Sequence, residues 1–171
     1  MDSRLEKLQQ LVRESLASTL GEELSWHAPG KWCAAEVFEH LYLTYTGTTK
    51  GFERVAAAGK SLATSATWPQ RLRTLVVVGF GHMPQGATAP AVARPRGLPP
   101  EKVRTEIIAA IQHMDEIITR CEVTFGSNAK LLDHPILGPL TAAQWRKLHL
   151  VHGQHHMKQI RRLCLARKVD A

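Results

Sequence analysis

The 171-residue chain has no apolar run that approaches the length of a membrane-spanning segment. A helix that crosses a bilayer needs roughly 20 consecutive apolar residues, so a transmembrane protein is excluded. The N-terminal stretch MDSRLEKLQQLVRESL is amphipathic and charged, whereas a secretion signal has an uninterrupted apolar centre. We therefore expect a cytoplasmic protein that does not interact with membranes.

Cysteine and aromatic residues are also scarce. The three cysteines, Cys33, Cys121 and Cys164, are widely spaced and form no CxxC pair. This pattern excludes a disulfide framework and a thiolate zinc ribbon, and it predicts reduced thiols. Aromatic residues make up 6% of the chain and hydrophobic residues 44%. The core should therefore consist mainly of Leu, Val, Ile and Ala, a mixture that favours helices over sheets.

The formal charge of +7 is compatible with binding to nucleic acid or to acidic ligands. However, the basic residues are scattered, and no aromatic–basic RNA motif or recognition-helix signature accompanies them. Nucleic-acid binding is therefore disfavoured, and a solvated helix face is the preferred interpretation. One basic group stands out near the C-terminus and comprises Lys158, Arg161, Arg162, Arg167 and Lys168.

Four segments have the three-to-four-residue apolar spacing that indicates an amphipathic helix. They cover residues 3–20, about 33–58, 100–125 and about 141–167. The first carries a stripe of five apolar residues that ends at Leu20. The last begins with TAAQ, where Thr141 and Gln144 can form a capping box. We predict a single all-α domain over residues 1–171, built as a four-helix bundle.

The remaining segments are less regular. The stretch RLRTLVVVGF is too short for its periodicity to distinguish a helix from a buried strand. Residues 81–100 contain five prolines and predict a long crossover loop between the second and third helices. Loops of this length often act as lids or binding segments. The segment SNAKLLDHPILGPL is also predicted to be a loop, which leaves no obvious place for strands elsewhere.

Four histidines occur within HLVHGQHHMKQI, residues 149–160, inside the last helix. On a helical wheel with about 100° per residue, His152 is placed at 0°. Trp145 and Leu163 then both lie near +20°, and these apolar residues mark the buried direction. His156 falls near +40°, so His152 and His156 straddle this direction. His149 and His155 lie nearer its two edges.

Two inward imidazoles one turn apart are unfavourable without partners, and a metal ion is one such partner. Histidines at i and i+4 can bind the same zinc ion. A hydrogen-bonded pair of core histidines, or surface histidines on a differently rotated helix, are the alternatives. A third ligand would come from the second helix, where His40 lies near the small residues Thr44, Gly47 and Gly51. These would leave room for a ligand, although His40 can also be a lone core histidine.

Two separated stretches resemble a known family. PGKWCAAEVFEHLYLT, followed much later by HPILGPLTAAQWRKLHLVHGQHHMKQI, is similar to the DinB-like (DinB/YfiT) metalloenzyme family. The loop PQGATAPAVARPRG resembles a proline-rich insertion of one branch, and the similarity spans about residues 29–162. This family often has Ser where Cys33 stands, which weakens the expected helix cap.

The resemblance implies a four-helix bundle, commonly dimeric, with a divalent ion held by three histidines. Carried over to this chain, the ligands are His40, His152 and His156. Zinc and nickel both suit imidazole ligands. Three protein ligands leave a coordination position open, which is typical of catalytic zinc sites.

The family includes thiol-dependent S-transferases, a thiol-dependent isomerase and hydrolases, and in the first two groups the ion activates a low-molecular-weight thiol. The resemblance therefore implies a metal-dependent transferase or hydrolase that acts on a small electrophilic substrate. The alternative is a helical bundle that binds a metal or small ligand without catalysis.

No acid or base partner for such a reaction is evident. Gln159 is a candidate hydrogen-bond donor to substrate, or else a buried polar residue. His82 is a candidate for closing over the site, and Arg94 and Arg96 for binding a carboxylate of a thiol cofactor. His134, in the sequence DHP, is expected to stabilise a turn.

Overall fold

Long amphipathic helices make up most of the fold, as composition and spacing predicted. The computed structural model describes residues 1–84, 86 and 88–170. The helices are α1 (Ser3–Ser18), α2 (Glu22–Ser25), α3 (Ala34–Ala58), α4 (Trp68–Thr74), α5 (Pro100–Phe125) and α6 (Ala142–Asp170). A π-helical turn at Leu75–Gly79 continues α4, and a 3-10 turn covers Ala91–Ala93. Within the described residues, no helix has both the length and the apolarity that a membrane crossing requires.

The ends of α3 and α6 follow the local signals in the sequence. The Glu36 carboxylate accepts a hydrogen bond from the backbone N–H of Cys33 at 2.8 Å, and Gly59 ends α3 with φ 61°. At the start of α6, Gln144 N–H donates to Thr141 Oγ1 at 3.2 Å, and Thr141 N–H donates to Gln144 Oε1 at 3.0 Å. The predicted capping box is therefore confirmed.

The end of the first helix was predicted wrongly. α1 stops at Ser18, and Leu20 is 56% exposed instead of continuing the buried stripe. The chain turns at Gly21, which has φ 56° and precedes the short helix α2. A positive φ is readily adopted by glycine, so Gly21 ends the first helical segment by redirecting the chain.

The loop predicted over residues 127–140 contains a hairpin. Strands β1 (Lys130–His134) and β2 (Gly138–Thr141) pair antiparallel, with Leu132 opposite Leu140. Leu131 and Leu140 are fully buried. Strands of five and four residues are too short to show a clear alternation of apolar and polar residues. The sequence therefore did not reveal them. Conversely, the ambiguous RLRTLVVVGF segment is helical.

The long helices pack in pairs around one apolar core. α3 lies along α5, α1 lies along α6, and α1–α5, α3–α6 and α5–α6 contacts complete the arrangement. The hairpin packs against α3 and α6. The largest fully buried side chains are Tyr45, Phe38, Phe52, Leu5, Leu8, Leu41, Ile107, Ile111, Met114, Ile118, Leu131 and Leu140.

A buried ionic network joins three of these helices. Arg146 of α6 donates from Nε to Asp115 Oδ1 at 2.8 Å and from Nη2 to Thr119 Oγ1 at 2.8 Å. Asp115 also accepts a hydrogen bond from the backbone N–H of Asp2 at 2.7 Å, just before α1. Removing one partner of a buried ion pair typically costs about 3–5 kcal/mol. This network therefore holds α6 in a defined position relative to α5 and α1.

Gly153 allows α1 to lie close against α6. A Cβ atom added at this position would lie 2.2 Å from Leu8 Cδ1 and 3.5 Å from Tyr45 Oη. Both neighbouring side chains are fully buried, so neither can move aside without displacing the core. Gly153 therefore permits the close packing of α1 against α6.

We expect Gly153→Ala to destabilise the protein. Overpacking a core costs about 1–3 kcal/mol, which exceeds the gain of up to about 1 kcal/mol from the better helix former. The matched control is Gly47→Ala, because Gly47 lies in α3 with nothing within 4 Å of an added Cβ. The control should be stabilising by roughly 0.5–1 kcal/mol. Urea denaturation measures both, and equal effects would contradict the packing argument.

Candidate metal centre

The structure brings together the three histidines that the sequence singled out. His40 lies on α3, whereas His152 and His156 lie one turn apart on α6. The Nε2 atom of His152 lies 3.2 Å from His40 Nε2 and 3.0 Å from His156 Nε2. One ring nitrogen from each residue lies within 4.8 Å of the other two. Residues more than a hundred positions apart thus form one cluster.

In His40 and His156, the second ring nitrogen, Nδ1, donates a hydrogen bond to a protein oxygen. His40 Nδ1 donates to the backbone carbonyl of Ala93 at 2.7 Å, and His156 Nδ1 donates to Gln159 Oε1 at 2.8 Å. A neutral imidazole with a proton on Nδ1 presents a lone pair at Nε2. Both Nε2 lone pairs therefore face His152. Metal-bound histidines in proteins almost always have such a partner on the second nitrogen.

Burial keeps these imidazoles neutral. It lowers the pKa of His40, and it lowers the pKa of His156 to about 4, with a further contribution from His40. The pKa of His152 is lowered well below its ordinary value by burial and then by the neighbouring histidines. Neutral imidazole is the form that binds metals, so the cluster is in its ligand-competent form at neutral pH.

The two nitrogen–nitrogen separations measured from His152 suit a single cation. Two nitrogen ligands bound at 2.0–2.1 Å to a tetrahedral zinc ion lie about 3.3–3.4 Å apart. The observed separations of 3.2 and 3.0 Å are close to this value. His152 Nε2 carries at most one hydrogen, so it can satisfy only one of the two lone pairs that face it. A cation among the three nitrogens satisfies all of them.

His149 is more deeply buried than the helical wheel predicted. It is 1% exposed, and its ring stacks on Trp145 and meets Tyr45 edge-on at a centroid distance of 5.6 Å. The wheel placed His149 near an edge because it took no account of α3, from which Tyr45 covers that side of α6. Among the described residues, the two ring nitrogens of His149 and the Tyr45 hydroxyl have no hydrogen-bond partner.

Other residues suggested by the sequence lie elsewhere. The Arg94 and Arg96 side chains donate to Ala89 and Val92 carbonyls within the proline-rich loop. His82 lines a groove on another face of α6. His134 stabilises the hairpin turn as expected, because its Nδ1 accepts the backbone N–H groups of Ile136 and Leu137 at 3.2 Å.

The small residues near His40 do not form the ligand space that the sequence suggested. The room at Gly51 is filled by Leu132, whose Cδ2 would lie 2.5 Å from an added Cβ. Gly47 is exposed, and the Thr44 hydroxyl donates to the His40 carbonyl at 2.8 Å. These residues serve helix packing and helix hydrogen bonding instead.

Two contacts of His40 were not foreseen. The Trp32 ring lies 5.3 Å from the His40 ring, and Ala93 comes from the proline-rich loop. The PGKW motif places an aromatic residue just before α3, but nothing in the sequence indicates its direction. Backbone carbonyl partners leave no sequence signal, because every residue carries one.

A second group of possible metal ligands has a simpler explanation. His27, Cys33 and Glu36 also lie close together. However, Glu36 already caps α3 through the Cys33 N–H, and burial raises the pKa of the Cys33 thiol. A raised thiol pKa disfavours the thiolate that binds metals. We therefore interpret this group as the start of α3.

Comparison with protein families identifies the chain. A family model described as a protein of unknown function (DUF1569) matches residues 1–163. The chain belongs to this family. The predicted membership of the DinB/YfiT family was therefore wrong, although DUF1569 is itself a family with a DinB-like fold. No curated protein and no solved structure matches the chain.

We expect His149 to make the folded DUF1569 protein sensitive to mild acid. Burial lowers the pKa of His149 to about 3, whereas an unfolded chain has a histidine pKa of about 6.5. The unfolded state thus binds the proton first, so this contribution to stability is complete above about pH 6.5 and is lost as the pH falls towards 3. Between pH 7 and pH 5, the loss is about 2 kcal/mol.

His149→Leu should remove this part of the pH dependence when urea denaturation is measured at pH 7 and pH 5. The control is His113→Leu on α5, because the side chain of His113 is 60% exposed. The control should keep the wild-type difference between the two pH values. An unchanged difference in His149→Leu would show that His149 is not buried in its neutral form.

Proposed function

We propose that this DUF1569 protein is a four-helix bundle that binds a divalent metal ion, zinc or nickel, through His40, His152 and His156. We further propose that it is a metal-dependent enzyme, either a thiol-dependent S-transferase or a hydrolase, acting on a small electrophilic substrate. The observation that carries this proposal is the convergence of three Nε2 atoms, two of which present lone pairs.

The four long helices form the scaffold of the proposed metal site. α1, α3, α5 and α6 contain 16, 25, 26 and 29 residues and contact one another in pairs. In bundles of this kind, metal sites are built from side chains on facing helices. The α3–α6 contact supplies such a pair of faces here.

The donor set supports a catalytic rather than a structural ion. Among the described residues, the group contains no fourth histidine, cysteine or carboxylate. Structural zinc sites are closed by four protein ligands, whereas catalytic sites keep a position for water or substrate. When bound, such an ion acts as a Lewis acid that makes water or a thiol nucleophilic at neutral pH.

The residues of this chain orient and shield the site. The Ala93 carbonyl and the Gln159 side chain fix the orientation of the His40 and His156 rings. The Trp32 ring adds an apolar wall against His40. His152 is only partly buried, which gives solvent and small molecules access to this side of the cluster.

A non-catalytic role is the second candidate. No Asp or Glu belongs to the described histidine group, so no carboxylate within the group can serve as a general acid or base. A bundle that binds or stores a metal ion needs no such residue.

Formation of a homodimer, which the family resemblance implied, also stays a prediction.

Metal analysis tests the site directly. Untagged wild-type protein should contain about one zinc or nickel ion per chain, and His40→Ala and His156→Ala should lose it because two nitrogen ligands hold the ion weakly. His155→Ala is the matched control, since His155 lies on the same helix but outside the group. Equal metal content in all four proteins would exclude the proposed site.

A milder variant distinguishes a weakened metal site from loss of metal through unfolding. Gln159→Leu leaves all three ligands in place but removes the acceptor of His156 Nδ1. Mutation of such a partner typically lowers metal affinity by about 10–100-fold. Competition with a metal-binding dye measures this change, and circular dichroism confirms that the variant is folded. Unaltered affinity would argue against His156 as a ligand.

Activity assays separate the enzyme from the binding protein. Metal-loaded protein is incubated with chloroacetamide and, in turn, bacillithiol-, mycothiol- and glutathione-type thiols. An S-transferase should accelerate chloride release with one thiol, and acceleration without thiol would indicate a hydrolase. His156→Ala should show neither activity. Metal binding without any acceleration over a panel of small electrophiles would favour the non-catalytic role.

A further inference from the structure

A basic groove runs beside the histidine cluster on another face of α6. It has a volume of about 210 Å³ and lies between α6 and the segment that follows the π-helical turn. His82 and Met83 line one wall. Val151, His155, Lys158 and Arg162 line the other wall, which belongs to α6. The proposed metal site does not account for this groove.

Among the described residues, the positive charge of the groove has no neutralising carboxylate partner. Lys158 and Arg162 are one turn apart on the same helix face, where like charges repel each other. In the described part of the chain, neither residue forms an ion pair, and no carboxylate lines the groove. By contrast, the basic residues that follow on α6 are paired, Arg167 with Glu22 and Lys168 with Glu23. A concave surface with one sign of charge attracts ions of the opposite sign.

The wall opposite α6 is held in place by several contacts. The Lys147 ammonium donates to the Gly79 carbonyl at 3.0 Å, and the His82 N–H donates to the Val76 carbonyl at 3.2 Å. Gly81 has φ 70°, and an added Cβ there would lie 3.8 Å from Val151 Cγ2. The groove therefore has two defined sides and is not merely a patch of mobile basic side chains.

His155 connects the groove to the metal centre. It lines the groove, and its ring meets the His156 ring edge-on at a centroid distance of 5.1 Å. Val151, on the same wall, directly precedes His152 in the chain. A small molecule in the groove would therefore lie beside the histidine cluster, separated from it by a single imidazole ring.

We propose that this groove binds a small oxyanion, a carboxylate or phosphate group, through Lys158 and Arg162, with His82 and His155 as further hydrogen-bonding groups. We also propose that this anion belongs to the small electrophilic substrate of the metal-dependent reaction, a part that rests on the proposed function. Arginine matches carboxylate and phosphate oxygens with two parallel hydrogen bonds, and lysine adds a point charge.

Calorimetric titration with inorganic phosphate and with sodium acetate tests the binding site and separates the two kinds of oxyanion. Wild-type protein should show saturable binding of one of these anions. Lys158→Gln and Arg162→Gln should each weaken it by roughly tenfold, because each removes a charge-assisted hydrogen bond. The matched control is Arg161→Gln, which removes the same charge from an exposed neighbour outside the groove.

The control should change anion affinity by less than about twofold, because Arg161 does not line the groove and its charge reaches the anion only across solvent, where salt screens it. Equal weakening by Arg161→Gln, or the absence of saturable binding by the wild type, would overturn the proposed site. The titration is repeated after removal of metal with a chelator, because phosphate also binds metal ions. Groove binding should persist without metal.

Paired substrates test the link to the reaction. Arg162→Gln should lower the ratio of kcat/KM for chloroacetate, which carries a carboxylate, to kcat/KM for the neutral chloroacetamide by roughly tenfold. Equal effects on both would show that the groove does not hold the substrate anion. Anion binding by a wild-type protein that takes up no zinc or nickel would refute the proposed function alone, whereas uptake of metal without anion binding would refute the groove alone.

Discussion

Three imidazoles lie together between α3 and α6, and this constraint organises the rest of the candidate site. Two of the rings are fixed with their lone pairs inward, because Ala93 and Gln159 accept the protons on the opposite nitrogens. Lone pairs that face each other repel unless a proton or a cation lies between them. Burial works against the proton, since it lowers the pKa of each imidazole. A metal ion is the partner that this arrangement favours.

The scaffold places these rings by fixing α6 at several points. The Thr141–Gln144 capping box sets where the helix begins. The buried Arg146–Asp115 pair sets its position against α5, and Gly153 allows α1 to approach closely. A capped helix start, a buried ion pair and a close packing contact each tolerate little displacement. Together they position His152 and His156 opposite His40 of α3.

α6 therefore presents two chemically different faces. One face carries the histidine cluster and continues to His149, a buried ring without a hydrogen-bond partner among the described residues. The other carries Lys158 and Arg162 above a groove. His155 lies between the two faces, next to His156. A helix with donor atoms on one side and unpaired charge on the adjacent side can hold a metal ion and an anionic group close together.

The sequence alone determined the long helices and the pair on α6, because a 3.6-residue period, capping residues and an i, i+4 spacing are local properties. It offered His40 as the third ligand, with a lone core histidine as the alternative, and the family resemblance implied the same trio, although the family itself was misassigned. The hairpin at Lys130–Thr141 and the burial of His149 escaped prediction, since both depend on what packs against them. Tertiary structure decided these features, together with the Ala93 carbonyl and the groove, because distances between distant segments follow from packing of the whole chain.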